Sequence, residues 1–167
     1  MEIVSVGPFL KYFENIRERT MRLSRCVPPD KVDWCYAPGQ FTAGDLMRHI
    51  GVTERYLFAE NIQGRASRYT THSPELAATL PEILSLMERL HAESMAIFTA
   101  LTDADLQRKV RNVGGVDIPI SKWLRSMTEH EIHHRGQLYT YLGFLGVNTP
   151  PIFGLTSEEA CARGQSS

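Results

Sequence analysis

Cysteine is scarce in this 167-residue chain, and the three present, Cys26, Cys35 and Cys161, are widely spaced and form no C-x-x-C pair. That pattern excludes a disulfide framework and points to reduced thiols in a cytoplasm. Long apolar runs are missing too: none approaches the roughly 20 residues that a bilayer-spanning helix needs, so no membrane partner is expected. The opening stretch MEIVSVGPFLKYFENIRERT has no basic region followed by an apolar run and a small-residue cleavage site, so it does not read as a secretory signal. An excess of one charge is absent as well. With a formal net charge of -1 there is no basic field to recruit nucleic acid, and the arginines are scattered along predicted helices as solvated faces. Internal repeats and low-complexity segments are also lacking. What remains is a chain with 43% hydrophobic residues, the composition of a soluble globule, long enough to bury a core unaided.

Four segments carry helical periodicity. The first, about 8–27, spaces Phe9, Phe13, Ile16, Thr20, Leu23 and Val27 alternately by four and three, and Pro28-Pro29 ends it. In the turn-rich connector that follows, Trp34 and Tyr36 are expected to pack down as lids. The second helix opens on FTAGDL, where Thr42 is the N-cap, Asp45 completes a capping box and Phe41 has staple spacing to Leu46. It is expected to run to Gln63 and stop at Gly64, before the polar loop RASRYTTHS. Pro74 and Pro81 both fit the first turn of the third helix, whose seam is Ile83, Met87, Leu90, Ser94, Ile97 and Leu101. KVRNVGGVDIPI alternates around Gly114-Gly115 as a β-hairpin with a two-residue turn. Ser121 is placed as the cap of a fourth helix, about 122–145, closed by Gly146. The fold class is therefore all-α: an antiparallel four-helix bundle with a short β-hairpin before the last core helix. Residues 1–156 form one domain, and 157–167 are expected to be a polar, mobile tail.

Histidine is concentrated in one place. EHEIHHRGQL, residues 129–138, spells H-E-x-x-H from His130 through Glu131 to His134. At about 100° per residue, Trp123, Met127, His130, His134, Leu138, Tyr141 and Leu145 share one stripe, with Glu131 and His133 at its shoulders. Two buried imidazoles one turn apart need partners, and i, i+4 nitrogens can close on one ion. His49 on the second helix is the candidate third ligand. Thr20 and Ser94, the polar positions in otherwise apolar seams, are expected to leave space and hydroxyls near such an ion; back-bonding within their own helices is the alternative. Glu131 reads equally as a solvated carboxylate and as a supporting group or base. His72 and His91 read as structural or solvent-exposed, and His133 as outward-pointing.

FTAGDLMRHIGVTERYLFAENIQG together with WLRSMTEHEIHHRGQLYTYLGFLG resembles the DinB/YfiT-like superfamily of damage-inducible bacterial proteins, over most of the chain as far as Gly146. The resemblance implies a four-helix bundle, usually a homodimer, that binds a divalent metal through three histidines. Carried onto this sequence these are His49, His130 and His134. Arg135, Gly136 and Gln137 match the positions that follow, and Gln137, one turn past His134, can reach the site as a supporting group. Some relatives are thiol transferases or isomerases that use low-molecular-weight thiols such as bacillithiol, mycothiol or glutathione.

Three functions are compatible with these residues. In the first, a metal-dependent transferase acts on a small-molecule substrate with an activated thiol or water; imidazole ligands suit several metals, zinc or nickel foremost. In the second, the bundle binds metal for stability and catalyses nothing. In the third, H-E-x-x-H marks a zinc hydrolase of the protease type with Glu131 as base. Against that third reading, no strand near the motif offers an edge for a peptide, and the extended histidine spacing fails at Gln137 and Thr140. A downstream carboxylate, Glu158 or Glu159, keeps it open.

Overall fold

The computed structural model describes residues 2–165. Helix α1 (Val6–Ser24) follows the predicted seam but stops three residues short of Val27, which is still buried. Its first free backbone N–H, on Val6, is taken by Asp103 Oδ1 at 2.8 Å, a capping partner far away in sequence. Helix α2 (Ala43–Thr53) starts on the predicted capping box, with Thr42 and Asp45 each accepting the other's backbone N–H at 3.0 Å. It continues without a break through a π-helical turn (Glu54–Phe58) into helix α3 (Ala59–Ile62), forming one rod that closes at Gly64, where φ is +74. Only glycine adopts that left-handed conformation without strain.

Of the two candidate prolines, Pro81 opens helix α4 (Leu80–Thr99), with Thr79 and Glu82 forming the box; Pro74 opens a separate 3-10 turn (Pro74–Leu76). At the far end of α4 the buried residue is Phe98, while Ile97 and Leu101 pack at the margin. Strands β1 (Lys109–Arg111) and β2 (Asp117–Pro119) pair antiparallel, Val110 opposite Ile118. Their connection is the loop 112–116 rather than a two-residue turn. Asn112 makes the difference: its N–H donates to Val116 O at 3.0 Å and its side chain accepts from Val116 N at 2.9 Å. Helix α5 (Ile120–Phe144) follows directly from Pro119, so Ser121 lies inside the helix instead of capping it. Gly146, at φ +69, closes it as predicted. The expected polar tail is exposed, yet Ser157–Gly164 forms helix α6, because Thr156 and Glu159 make another capping box. Ser166 and Ser167 of that tail lie outside the described residues.

The bundle is formed by α1, the α2–α3 rod, α4 and α5. Helix α1 packs on α4 and α5, and α2 packs on α4 and α5, so α1 and α2 face each other across one diagonal. One core cluster takes the C-terminal part of α1, the starts of α2 and α4, and the end of α5. The other takes the start of α1, α3, the end of α4 and the first half of α5. Two helices therefore run in each direction, and the neighbours α2 and α4 run the same way. The connector 63–79 must consequently retrace the length of the rod. It is pinned as it goes: Arg68 N–H donates to Tyr56 O at 2.7 Å, and the Arg68 guanidinium to Glu60 at 2.7 Å. The wholly buried Arg48 donates to His72 O at 2.7 Å and to Ala77 O at 2.9 Å.

Candidate metal centre

Between the two apolar clusters lies a polar layer to which every helix of the bundle contributes. On the α1 side it is ionic. Arg17, 3% exposed, pairs with Glu54 and with Glu131, the latter at 2.9 Å, while Thr20 Oγ1 donates to Glu131 Oε1 at 2.6 Å. His91 Nδ1 lies 3.0 Å from the other oxygen of Glu54. Thr20 therefore serves this cluster rather than a metal, and Ser94 bonds back to Leu90 O at 3.0 Å. Arg17 and Glu54 carry no spacing motif, and only their positions beside mid-helix polar residues hint at their role.

On the α2 side the layer is made of histidines. His130 and His134 are half-buried at the flank of α5, and Glu131, placed by periodicity at the shoulder, is the buried member at 2% exposure. A helix packed against two neighbours buries a wider face than a single seam. Arg17 draws Glu131 toward α1 and leaves the two histidines facing α2.

There they meet His49. His49 Nε2 and His130 Nε2 are 3.0 Å apart, and one nitrogen from each of His49, His130 and His134 lies within 4.8 Å of the other two. The second nitrogens of His134 and His49 are both engaged. Gln137 Oε1 can only accept, so His134 Nδ1, 2.7 Å away, carries the proton and its Nε2 is left with the lone pair. His49 Nδ1 is 3.0 Å from Tyr69 Oη and 3.3 Å from Thr53 Oγ1, and Tyr69 Oη is 2.8 Å from His72 Nδ1. Two assignments satisfy these contacts: in one His49 Nδ1–H donates to Tyr69 and the tyrosine hydroxyl to His72, and in the other the chain runs in reverse and His49 Nε2–H donates to His130. The first leaves His49 Nε2 unprotonated, as a metal ligand must be. Burial, then the neighbouring His134 and His72, pull His49 down to about 4. Burial, then His134, His49 and His133, pull His130 down to about 3, and burial lowers His134 as well.

These donors fit a cation. A separation of 3.0 Å between the two Nε2 atoms is one that a shared proton or a shared metal gives. Two bonds of 2.0–2.1 Å at octahedral or tetrahedral angles separate their nitrogens by about 2.8–3.4 Å, which brackets the observed spacing. Tyr69 and His72, which sequence reasoning left in a polar loop, belong to this assembly. Phe41 covers it, its ring centroid 5.4 Å from His49 and 4.3 Å from His72. Glu131 makes no hydrogen bond to the three histidines among the described residues. His133 is exposed, its ring 4.9 Å from that of His134. A cavity of about 520 Å³ opens beside His134 and Gln137 and is walled by Tyr36, Phe41, Leu46, Tyr141 and Phe144. A second apolar cleft, of about 410 Å³ between the N-terminus and α5, includes none of the three histidines.

Comparison with known proteins agrees with this architecture. Residues 12–138 match the DinB superfamily. YjoA of Bacillus subtilis (strain 168), an uncharacterized protein, is 27% identical over 147 residues, which span 86% of this chain and 93% of YjoA. Its crystal structure aligns with a TM-score of 0.71 at 26% identity, covering 87% of this chain and 97% of that one. A DinB-like protein of Bacillus cereus ATCC 10987 gives a TM-score of 0.77 at 21% identity, over 89% and 97% of the two chains. YfiT of Bacillus subtilis, described as a probable metal-dependent hydrolase with an unusual four-helix bundle topology, gives 0.66 at 19% identity over 83% and 87%. The match over residues 12–138 reaches from α1 into α5 and takes in all three histidines, and on that ground the chain belongs to the DinB superfamily.

Proposed function

We propose that His49, His130 and His134 hold one divalent cation, zinc or nickel, through their Nε2 atoms, and that the chain is a metal-dependent enzyme acting on a small molecule. The observation that carries this reading is the convergence of three neutral imidazoles from two helices, with a 3.0 Å Nε2–Nε2 spacing within the range that a shared ion gives. A cation bound there supplies Lewis acidity, so that a water or a thiol at an open position becomes a much stronger acid.

The rest of the work falls to the chain. Tyr69, Thr53 and Gln137 hold two of the rings in the ligating tautomer. Phe41 shields one side of the histidines from solvent, and the cavity beside His134 is the route by which a substrate approaches. This opening favours an active centre over a closed structural one. Glu131 does not serve as a general base, since Arg17 and Thr20 take its two oxygens.

Transfer of a low-molecular-weight thiol is the first reading of the activity. Hydrolysis is the second, favoured by the description of YfiT. Metal analysis of protein purified without a histidine tag is expected to give one equivalent, lost in His49→Ala, His130→Ala and His134→Ala. Retention of metal by all three variants refutes the ligand set. Titration of the cobalt-loaded protein with thiols, and assay against simple esters, then separates transfer from hydrolysis.

A further inference from the structure

The cavity beside the histidines has a chemistry of its own. Tyr36, Phe41, Tyr141 and Phe144 supply four aromatic rings to its wall, and the polar groups among them include the amides of Gln40 and Gln137. None of its lining residues is an arginine, lysine, aspartate or glutamate. The cations nearest in sequence turn elsewhere: Arg135 is buried and donates to Ile16 O at 3.3 Å, and the wholly buried Arg48 gives its donors to Asp45, His72 O and Ala77 O. Asp45, one residue before the lining Leu46, is neutralised by that guanidinium at 2.7 Å and brings no net charge to the cavity.

The rings are held in place. Tyr141 Oη donates to Phe41 O at 2.9 Å, which ties the two walls together. Trp34 stands edge-on behind Tyr141, centroids 5.4 Å apart, and Tyr36 does the same at 5.6 Å. Tyr36 and Phe144 remain 55% and 66% exposed, an uncommon exposure for large rings grouped around one opening. Phe41 is shared with the histidine cluster, lying nearly parallel to His134 with centroids 6.5 Å apart, so cavity and centre are continuous. A volume of about 520 Å³ is in the range that holds a small ligand.

We infer that the lining of this cavity selects an uncharged aromatic group of the centre's substrate, and that no side chain of the lining receives a carboxylate. The inference rests on the proposed function for the word substrate. The physics of the selection is independent of it. An aromatic ring gains offset or edge contacts with four rings already fixed, and an amide or hydroxyl on it finds Gln40 and Gln137. In the metal-stripped protein a carboxylate entering the same space sheds water and meets no charged side chain in exchange.

The test uses three compounds of one shape: benzamide, benzoate and cyclohexanecarboxamide. Each is titrated into the full-length, metal-stripped protein, followed by amide chemical shifts at Tyr36, Gln137 and Tyr141, and the series is repeated with cobalt-loaded protein. In the metal-stripped protein benzamide is expected to bind at least tenfold more tightly than benzoate and severalfold more tightly than the cyclohexane analogue. Phe144→Ala, at an exposed position, is expected to reduce the benzamide affinity severalfold without altering cobalt content. Equal or tighter binding of benzoate to the stripped protein, or shifts that map elsewhere, overturns the inference. Failure to take up cobalt while benzamide selectivity persists overturns the metal reading alone; stoichiometric cobalt without selectivity overturns the cavity assignment alone.

Discussion

Replacing Tyr69 by phenylalanine removes one oxygen atom and leaves the ring that packs edge-on against His49 at 5.7 Å. In the tautomer that ligates a metal, the lost hydroxyl accepts from His49 Nδ1–H at 3.0 Å and donates to His72 Nδ1 at 2.8 Å. Without it, nothing but Thr53 Oγ1, a looser partner at 3.3 Å, holds the tautomer that exposes Nε2. Groups that support a metal ligand in this way are worth about 10–100-fold in affinity, or about 1.4–2.7 kcal/mol. Because Thr53 remains, Tyr69→Phe is expected at the lower end, about tenfold. Adding Thr53→Val removes the substitute and should move the loss toward about a hundredfold. Competition of zinc against a chromophoric chelator measures both. Affinity within twofold of the parent in the double variant, while His49→Ala abolishes binding, would refute the claim that Tyr69 and Thr53 fix the His49 ring. A second diagnostic is that Tyr69→Phe should leave the stability of the metal-stripped protein nearly unchanged.

Two further outcomes follow from the polar layer. Arg17→Met leaves Glu54 and Glu131 buried without their cation, and is expected to lower stability by about 3–5 kcal/mol in urea titrations; adding Glu54→Gln and Glu131→Gln should recover part of that loss, and a single-variant loss below about 1 kcal/mol contradicts the pairing. Acidification tests the histidines. His49 and His130 are held at about 4 and about 3 in the fold and return to about 6.5 on unfolding, so between those values the unfolded chain binds more protons and stability falls as pH falls. The metal-stripped protein should therefore lose stability progressively below about pH 6.5, with a slope of at most about 1.4 kcal/mol per pH unit for each histidine, lessened by their partial exposure. His130→Ala should flatten that slope, and an unchanged urea midpoint between pH 7 and pH 5 counts against the buried neutral pair.

The parts of this architecture that could be read from the sequence are local ones. Thr42 and Asp45 announce a helix start because both partners of the box lie within one turn. His130 and His134 announce a shared ligand face because i, i+4 spacing survives any rotation of the helix. The burial of Glu131 could not be read in the same way, since it depends on Arg17, which comes from another helix. Periodicity taken from Trp123 assumed a single seam, whereas α5 is buried against α1 as well as α2. Helix α6 is signalled by the same local device: TSEE carries the box found at Thr42, in a segment whose polarity alone suggests a tail.

The least legible contributors, Tyr69 and His72, owe their place to topology. Helices α2 and α4 are neighbours that run in the same direction, so a short loop cannot join them. The rod 43–62 rises about 30 Å at about 1.5 Å per residue, and the connector 63–79 has to cover that distance in reverse. At about 3.3 Å per residue the extended chain is more than long enough, and the excess is taken up where Arg48 and Glu60 pin it. An up-and-down bundle with a tight turn at Gly64 would place no residue beside His49 at mid-height. The returning strand of chain passes there and lays a phenol against Nδ1 of His49 and an imidazole behind the phenol. In this bundle the parallel pairing of two helices thus does more than set the packing: it supplies the backing of the centre, and a chain with the same three histidines but a short α2–α4 turn should bind metal more weakly for lack of it.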